Sequence, residues 1–275
     1  MSQMNLNLDI KGFRSIASSF DLFFIDIWGV IHNGISIFQE SVNVLNELEK
    51  LNKKYVLLTN APRPNSTVKN FLNKMGLEKI KTDKVYTSGE AALQHLNLKW
   101  KNKKFFHIGP PRDFDLFKLF EKNKVKNITD ADFLLCTGLF DQQGNELDYY
   151  KSLLENKTKI KMICTNPDLI VDRGDVREYC AGSIAKIFEE LGGLVDYFGK
   201  PYPLVYSQST NINDKKILCI GDNLNTDIRG ANMQNFSSLL ILNGIHKKEF
   251  QDSNINSLMK KYKVKVDYLQ TVFKW

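Results

Sequence analysis

Four short stretches carry side chains whose types and spacing suit chemistry on a phosphoryl group. In Phe24-Ile25-Asp26-Ile27-Trp28-Gly29-Val30 an apolar run delivers Asp26 into a turn that Gly29 permits. A carboxylate at a strand end can serve as nucleophile or metal ligand; alone it also reads as a turn or capping residue. Leu57-Leu58-Thr59-Asn60 places a hydroxyl and an amide at a second strand end, to hold phosphoryl oxygens or to cap a helix. Gly199-Lys200-Pro201 offers a cation able to neutralise both phosphate and carboxylate. Gly221-Asp222-Asn223-Leu224-Asn225-Thr226-Asp227 puts two acids around one turn, which suits a hard cation such as Mg²⁺.

Several further residues are candidates of lower specificity. His32 follows Asp26 by six positions and has a near-neutral intrinsic pKa, so it can donate a proton or pack in a loop. Arg63 follows the Thr59-Asn60 turn and can reach substrate, an inserted domain or a structural ion pair. Asn166 and Asp168, in Cys164-Thr165-Asn166-Pro167-Asp168, line the mouth of a site or form an ordinary turn. Asn223 shapes the acidic loop beside the metal.

The elements that must position these residues follow from periodicity. Strand-like apolar runs occur at 22–26, 55–58, 104–108, 133–136, 161–164, 217–220 and 238–242, with helical spacing at 38–51, 66–75, 184–191 and 226–234. This alternation predicts an α/β fold with a mostly parallel sheet. In such sheets functional groups gather beyond the carboxyl ends of the strands.

Asp, Thr, Lys and GDxxxTD in this order resemble the four motifs of the haloacid dehalogenase superfamily. About 140 residues separate Asn60 from Lys200, room for an inserted cap. Tyr86-Thr87-Ser88, Thr165-Asn166-Pro167-Asp168 and Ala181-Gly182-Ser183 within the insert are similar to the NagD and pyridoxal-phosphate-phosphatase branch, with its class IIA cap. The resemblance implies a Rossmann-like core at 1–88 and 182–275 and an α/β cap at 89–181. It implies a phosphoric monoester hydrolase that acts on a small sugar or nucleotide phosphate through an aspartyl-phosphate on Asp26. It assigns Mg²⁺ to Asp26, the main-chain carbonyl of Trp28 and Asp222, with Asp227 and Asn223 around them. Thr59, Asn60, Arg63, Asn166 and Asp168 would face phosphate or substrate, and Lys200 would balance charge.

One position departs from the family pattern. Where its phosphatases carry an acid–base Asp, two residues after the nucleophile, this chain has Trp28. An indole N–H has negligible acidity, and general acid–base help is typically worth about 10²–10⁴ in rate. The expectation is slow or substrate-restricted turnover, unless His32 substitutes. A different reaction on the same core, C–Cl or C–P cleavage, is a second possibility. Against these stand the metal-suited acids and the want of an identifiable Schiff-base lysine. A non-catalytic homologue that binds a phospho-ligand or a protein partner is the third.

The bulk properties fit a soluble globular chain. Of 275 residues, 43 % are hydrophobic and 25 % charged, and no run approaches the ~18 apolar residues of a membrane span. The first residues lack an apolar signal region. The net charge of +7 is spread over short patches, which favours anionic small substrates without presenting a nucleic-acid module. Cys136, Cys164, Cys180 and Cys219 lack metal spacing and read as buried thiols, so a reducing, cytoplasmic setting is expected. Motif spacing leaves the oligomeric state open.

Overall fold

The computed structural model describes residues 6–174 and 176–275. Its strands are β1 (Leu6–Asn7), β2 (Leu22–Ile25), β3 (Lys54–Thr59), β4 (Val85–Thr87), β5 (Phe105–Ile108), β6 (Phe133–Cys136), β7 (Lys161–Cys164), β8 (Ile170–Arg173), β9 (Val176–Tyr179), β10 (Val195–Tyr197), β11 (Ile217–Gly221), β12 (Ser237–Ile241) and β13 (Tyr268–Gln270). They form a seven-stranded sheet in the order β1-β13-β12-β11-β2-β3-β4, a four-stranded sheet β10-β7-β6-β5, and the hairpin β8-β9. Both larger sheets are parallel throughout, and among the described strands the hairpin alone is antiparallel.

The central strands are buried on both faces, which is why β2 and β11 read as continuous apolar runs. Side chains alternate across a strand, and β2 sorts accordingly. Phe23 and Ile25 join Leu57, Leu218 and Ile220 beneath helix Gln39–Lys50, which contributes Val44, Leu45 and Leu48. Leu22 and Phe24 face the other way, with Val56, Leu58, Val205 and Tyr206. Full burial of one such side chain is worth roughly 1.5–3 kcal/mol.

The two larger sheets share this second apolar cluster, because Phe105, Phe133, Leu135 and Ile163 of the smaller sheet lie in it. The smaller sheet's opposite face, with Leu134, Cys136, Met162 and Cys164, is covered by helices Leu147–Leu154 and Ala181–Glu190. All four cysteines are buried free thiols.

Helix Ala181–Glu190 supplies Ile184, Ala185 and Phe188 to the core of the smaller sheet, and β10 pairs with β7. The chain rejoins the first sheet only after Tyr197. The strands β1, β4, β8, β9, β10 and β13 escaped the sequence reading because their few residues mix polar with apolar side chains, unlike the equally short apolar runs of β2 and β6. Among the described residues no helix is long and apolar enough to cross a membrane.

Candidate active site

Three adjacent parallel strands, β11, β2 and β3, end on one edge and present Asp222, Asp26 and Thr59 there. Asp26 donates its backbone N–H to the Ile220 carbonyl at 2.8 Å, tying its strand end to β11. Lys200 arrives from the segment after β10. Its Nζ donates to Asp26 Oδ1 at 2.5 Å and to Asp227 Oδ1 at 2.7 Å. Carboxylate oxygens of Asp26, Asp222 and Asp227 lie within 4.8 Å of one another, and all three residues are buried.

Backbone geometry makes room for the acids. Gly29 has φ +85°, and a Cβ there would stand 2.2 Å from Asp222 Oδ2. A Cβ on Gly244 would fall 2.1 Å from the same oxygen. Asp222 Oδ2 accepts the Ile245 N–H at 2.8 Å, and Asp227 Oδ2 accepts the Asn223 N–H at 3.1 Å. Nothing in Gly244-Ile245 marks this role in the sequence.

The electrostatics follow from burying three carboxylates against one ammonium. Burial, then the Asp227 and Asp222 charges, push the Asp26 carboxyl well above its ordinary value against the pull of Lys200. Asp222 is pushed up to about 8, by burial and then by Asp227. Burial opposes the charge on Lys200, but Asp227 and Asp26 outweigh it and raise its pKa, so the ammonium persists. The excess buried negative charge and the all-oxygen donor set fit a hard divalent cation. Asp26, Asp222 and the Trp28 carbonyl are the candidate ligands, with Asp227 alongside.

Thr59 is buried at its strand end, and its Oγ1 accepts the Ala61 N–H at 3.2 Å, leaving the hydroxyl proton free to donate. Asn60 is differently employed. Its Oδ1 accepts the Lys200 N–H at 2.7 Å, and its Nδ2 donates to the Lys200 carbonyl at 3.0 Å and to Asp168 Oδ1 at 3.1 Å. The side-chain amide expected on phosphate is therefore occupied in holding Lys200. Asp168 reaches in from the inserted layer and lines the cavity of Asp26, its carboxyl pushed up to about 6 by burial against the attraction of Lys200. Asn166 stays outside that cavity. Its Oδ1 caps the turn by accepting the Asp168 N–H at 3.0 Å.

Three other candidates have partners of their own. Arg63 is spent in an ion pair, its Nε 2.9 Å from the buried Asp113 Oδ1. Asn223 uses Oδ1 to accept the Asn225 N–H at 2.9 Å, so it shapes the acidic loop and does not direct that oxygen at a metal. His32 is 2 % exposed, its Nδ1 accepts the Gly34 N–H, and its ring packs on Trp28 and Phe71. Burial and then Arg173 push its pKa down to about 4. It lines a neighbouring cavity and not that of Asp26.

Trp28 supplies what short motifs cannot show. Its Nε1–H donates to the Asp172 carbonyl of the β8–β9 hairpin at 2.7 Å. A cavity of about 600 Å³ lies beneath, lined by Asp26, Thr59, Lys200, Asp222 and Arg177, with Lys247 and Lys248 at its rim.

A family model described as haloacid dehalogenase-like hydrolase matches residues 23–121, and one described as HAD-hydrolase-like matches residues 197–264. A 4-nitrophenylphosphatase of Schizosaccharomyces pombe is 24 % identical over 269 residues, covering 87 % of this chain and 89 % of its own length. A haloacid dehalogenase-like hydrolase from Brucella suis is 26 % identical with a TM-score of 0.80, over 95 % of this chain and 98 % of that one. A 4-nitrophenylphosphatase from Thermotoga maritima is 25 % identical with a TM-score of 0.69, over 94 % and 96 %. The two matched segments bring in Asp26, Thr59, Lys200 and the acidic loop, and with them the chain belongs to the haloacid dehalogenase-like hydrolases.

Proposed function

We propose that this hydrolase is a Mg²⁺-dependent phosphatase of a small phosphorylated metabolite, a sugar or nucleotide phosphate, with Asp26 as nucleophile. The observation that carries the reading is Lys200 held between Asp26 and Asp227 beside the buried Asp222. The named phosphatase relatives support the phosphomonoester class. The buried free thiols suit a reducing cytoplasm. Strand order and burial together suit the division into a Rossmann-like core and an inserted cap, with the cap extended through Tyr197.

A bound divalent cation supplies charge neutralisation and polarises a phosphoryl oxygen. The protein's own groups do the rest. A carboxylate oxygen of Asp26 attacks phosphorus and forms an aspartyl-phosphate as the leaving alkoxide departs. Lys200 pulls the Asp26 pKa down against burial, so with a cation bound it favours the ionised nucleophile, and it offsets the dianion. The Thr59 hydroxyl donates to a phosphoryl oxygen. Water then attacks the acyl phosphate and regenerates Asp26. Trp28 can neither protonate the leaving alkoxide nor take the proton that the attacking water loses, so leaving groups of low basicity turn over best.

Phosphate release from p-nitrophenyl phosphate and from a panel of sugar and nucleotide phosphates tests the reading. Mg²⁺-dependent release, lost with EDTA and with Asp26→Asn, is expected. Trp28 favours one second reading, a homologue that holds a phospho-ligand without turnover; ligand-induced stabilisation with no phosphate release from any ester would select it.

A further inference from the structure

The indole of Trp28 touches more of the fold than a loop side chain needs to. Besides the 2.7 Å bond to the Asp172 carbonyl, its ring lies 5.1 Å from the Arg173 guanidinium, a cation–π distance. Gly34 passes under the ring so closely that a Cβ would stand 2.6 Å from it. The hairpin is tied on its other side as well. Arg177 donates to the Ile245 carbonyl at 3.0 Å, and the N–H of Ile245 donates to Asp222. The Gly174 N–H adds a bond to the Asn33 carbonyl at 3.3 Å.

Two cavities adjoin at Trp28, Thr59, Asn60, Asp168 and Val171, and Trp28 is the largest of these side chains. Trp28 lines both the 600 Å³ cavity of Asp26 and a second one of about 500 Å³. The second is walled by His32, Phe71 and Phe140, and by arginines already paired in Arg63–Asp113 and Arg112–Asp141. Its wall is therefore aromatic and charge-compensated, unlike the acidic floor of the first.

We propose that Trp28 is a positioning residue that sets substrate size: it clasps the β8–β9 hairpin across the cavity of Asp26 and divides that cavity from its aromatic neighbour. The inference rests on the reading of Asp26 as nucleophile only for its kinetic consequence; the clasp is independent of it. With Trp28 in place the leaving group is confined on one side of the ring. With the ring removed the two spaces join, and a bulky, uncharged aromatic leaving group gains room.

Amide hydrogen exchange and substrate ratios test both parts on the full chain. Trp28→Phe keeps a ring and loses the donor, so exchange across the described hairpin residues accelerates about fivefold, the scale of one net hydrogen bond. Amides of β2 keep their protection, which separates a released clasp from general destabilisation. Trp28→Ala loses donor and ring. Its ratio of kcat/KM for 1-naphthyl phosphate over p-nitrophenyl phosphate rises about tenfold, the scale of pocket-volume discrimination, whereas Trp28→Phe leaves the ratio near its original value. Unchanged hairpin exchange in Trp28→Phe overturns the clasp. An unchanged ratio in Trp28→Ala overturns the partition, and Trp28→Leu decides that part if the alanine variant does not fold. Absence of phosphate release from every ester overturns the phosphatase reading and with it the size role, and the exchange result still decides the clasp.

Discussion

Asn60 grips the peptide of Lys200 from both ends: its carbonyl oxygen accepts the Lys200 N–H, and its amide donates to the Lys200 C=O. The main chain of Lys200 is thereby fixed while its ammonium bridges Asp26 and Asp227. Asn60→Ala strands a buried N–H and a buried C=O and lets the ammonium drift. The expected outcome is a loss of about 1–3 kcal/mol of unfolding free energy, with kcat reduced about 10²-fold by misplacement of the cation. Urea denaturation and steady-state kinetics check both; a full kcat would show that Lys200 needs no such hold.

Metal removal and pH act on the same three carboxylates. The folded protein holds the Asp222 proton up to about pH 8, through burial and then the Asp227 charge. An unfolded aspartate releases it near ~4. Because the folded state binds more protons across that interval, raising the pH costs the metal-free protein stability, from about pH 4 until the folded pKa is passed. Asp26 is shifted in the same direction. A divalent cation removes the cost by replacing the protons. Melting temperatures in EDTA should therefore fall between about pH 5 and pH 8, and the gain from Mg²⁺ should grow over the same range. A Mg²⁺ gain independent of pH would contradict this account.

His32 should prove structural. Its pKa of about 4 leaves it neutral at pH 7, with Nδ1 engaged by Gly34 and the ring against Trp28 and Phe71. His32→Ala should cost about 1–3 kcal/mol in unfolding free energy. The limbs of the pH–rate profile should stay in place between about pH 5 and 8. A limb that disappears in the variant would restore His32 as a proton donor.

Trp28→Asp returns an acid to a cavity that contains a nucleophile and a cation but lacks a proton donor at that position. The expected gain in kcat on an alkyl phosphate is about 10–10², part of the range open to general acid–base help. The gain on p-nitrophenyl phosphate should be smaller, because its leaving group needs little protonation. Equal effects on both esters, with Mg²⁺ affinity intact, would argue that protonation is not limiting.

The sequence by itself determined the order and chemical type of the groups that meet at the sheet edge. Asp26, Thr59 and Asp222 each follow a run of apolar residues long enough to be a buried strand, and strands buried on both faces announce themselves without partners. Parallel pairing then brings their ends to one edge. The tertiary structure alone decided the work of the neighbours. Asn60 meets Lys200 and Asp168, Arg63 meets Asp113, and Trp28 meets Asp172, each far along the chain. A hydrogen bond or ion pair is a property of two groups and their burial, so a residue type read at one position cannot state which partner it will find. Burial of His32, which pushes its pKa down to about 4, and the pairing of β10 with β7 likewise needed the fold to be seen.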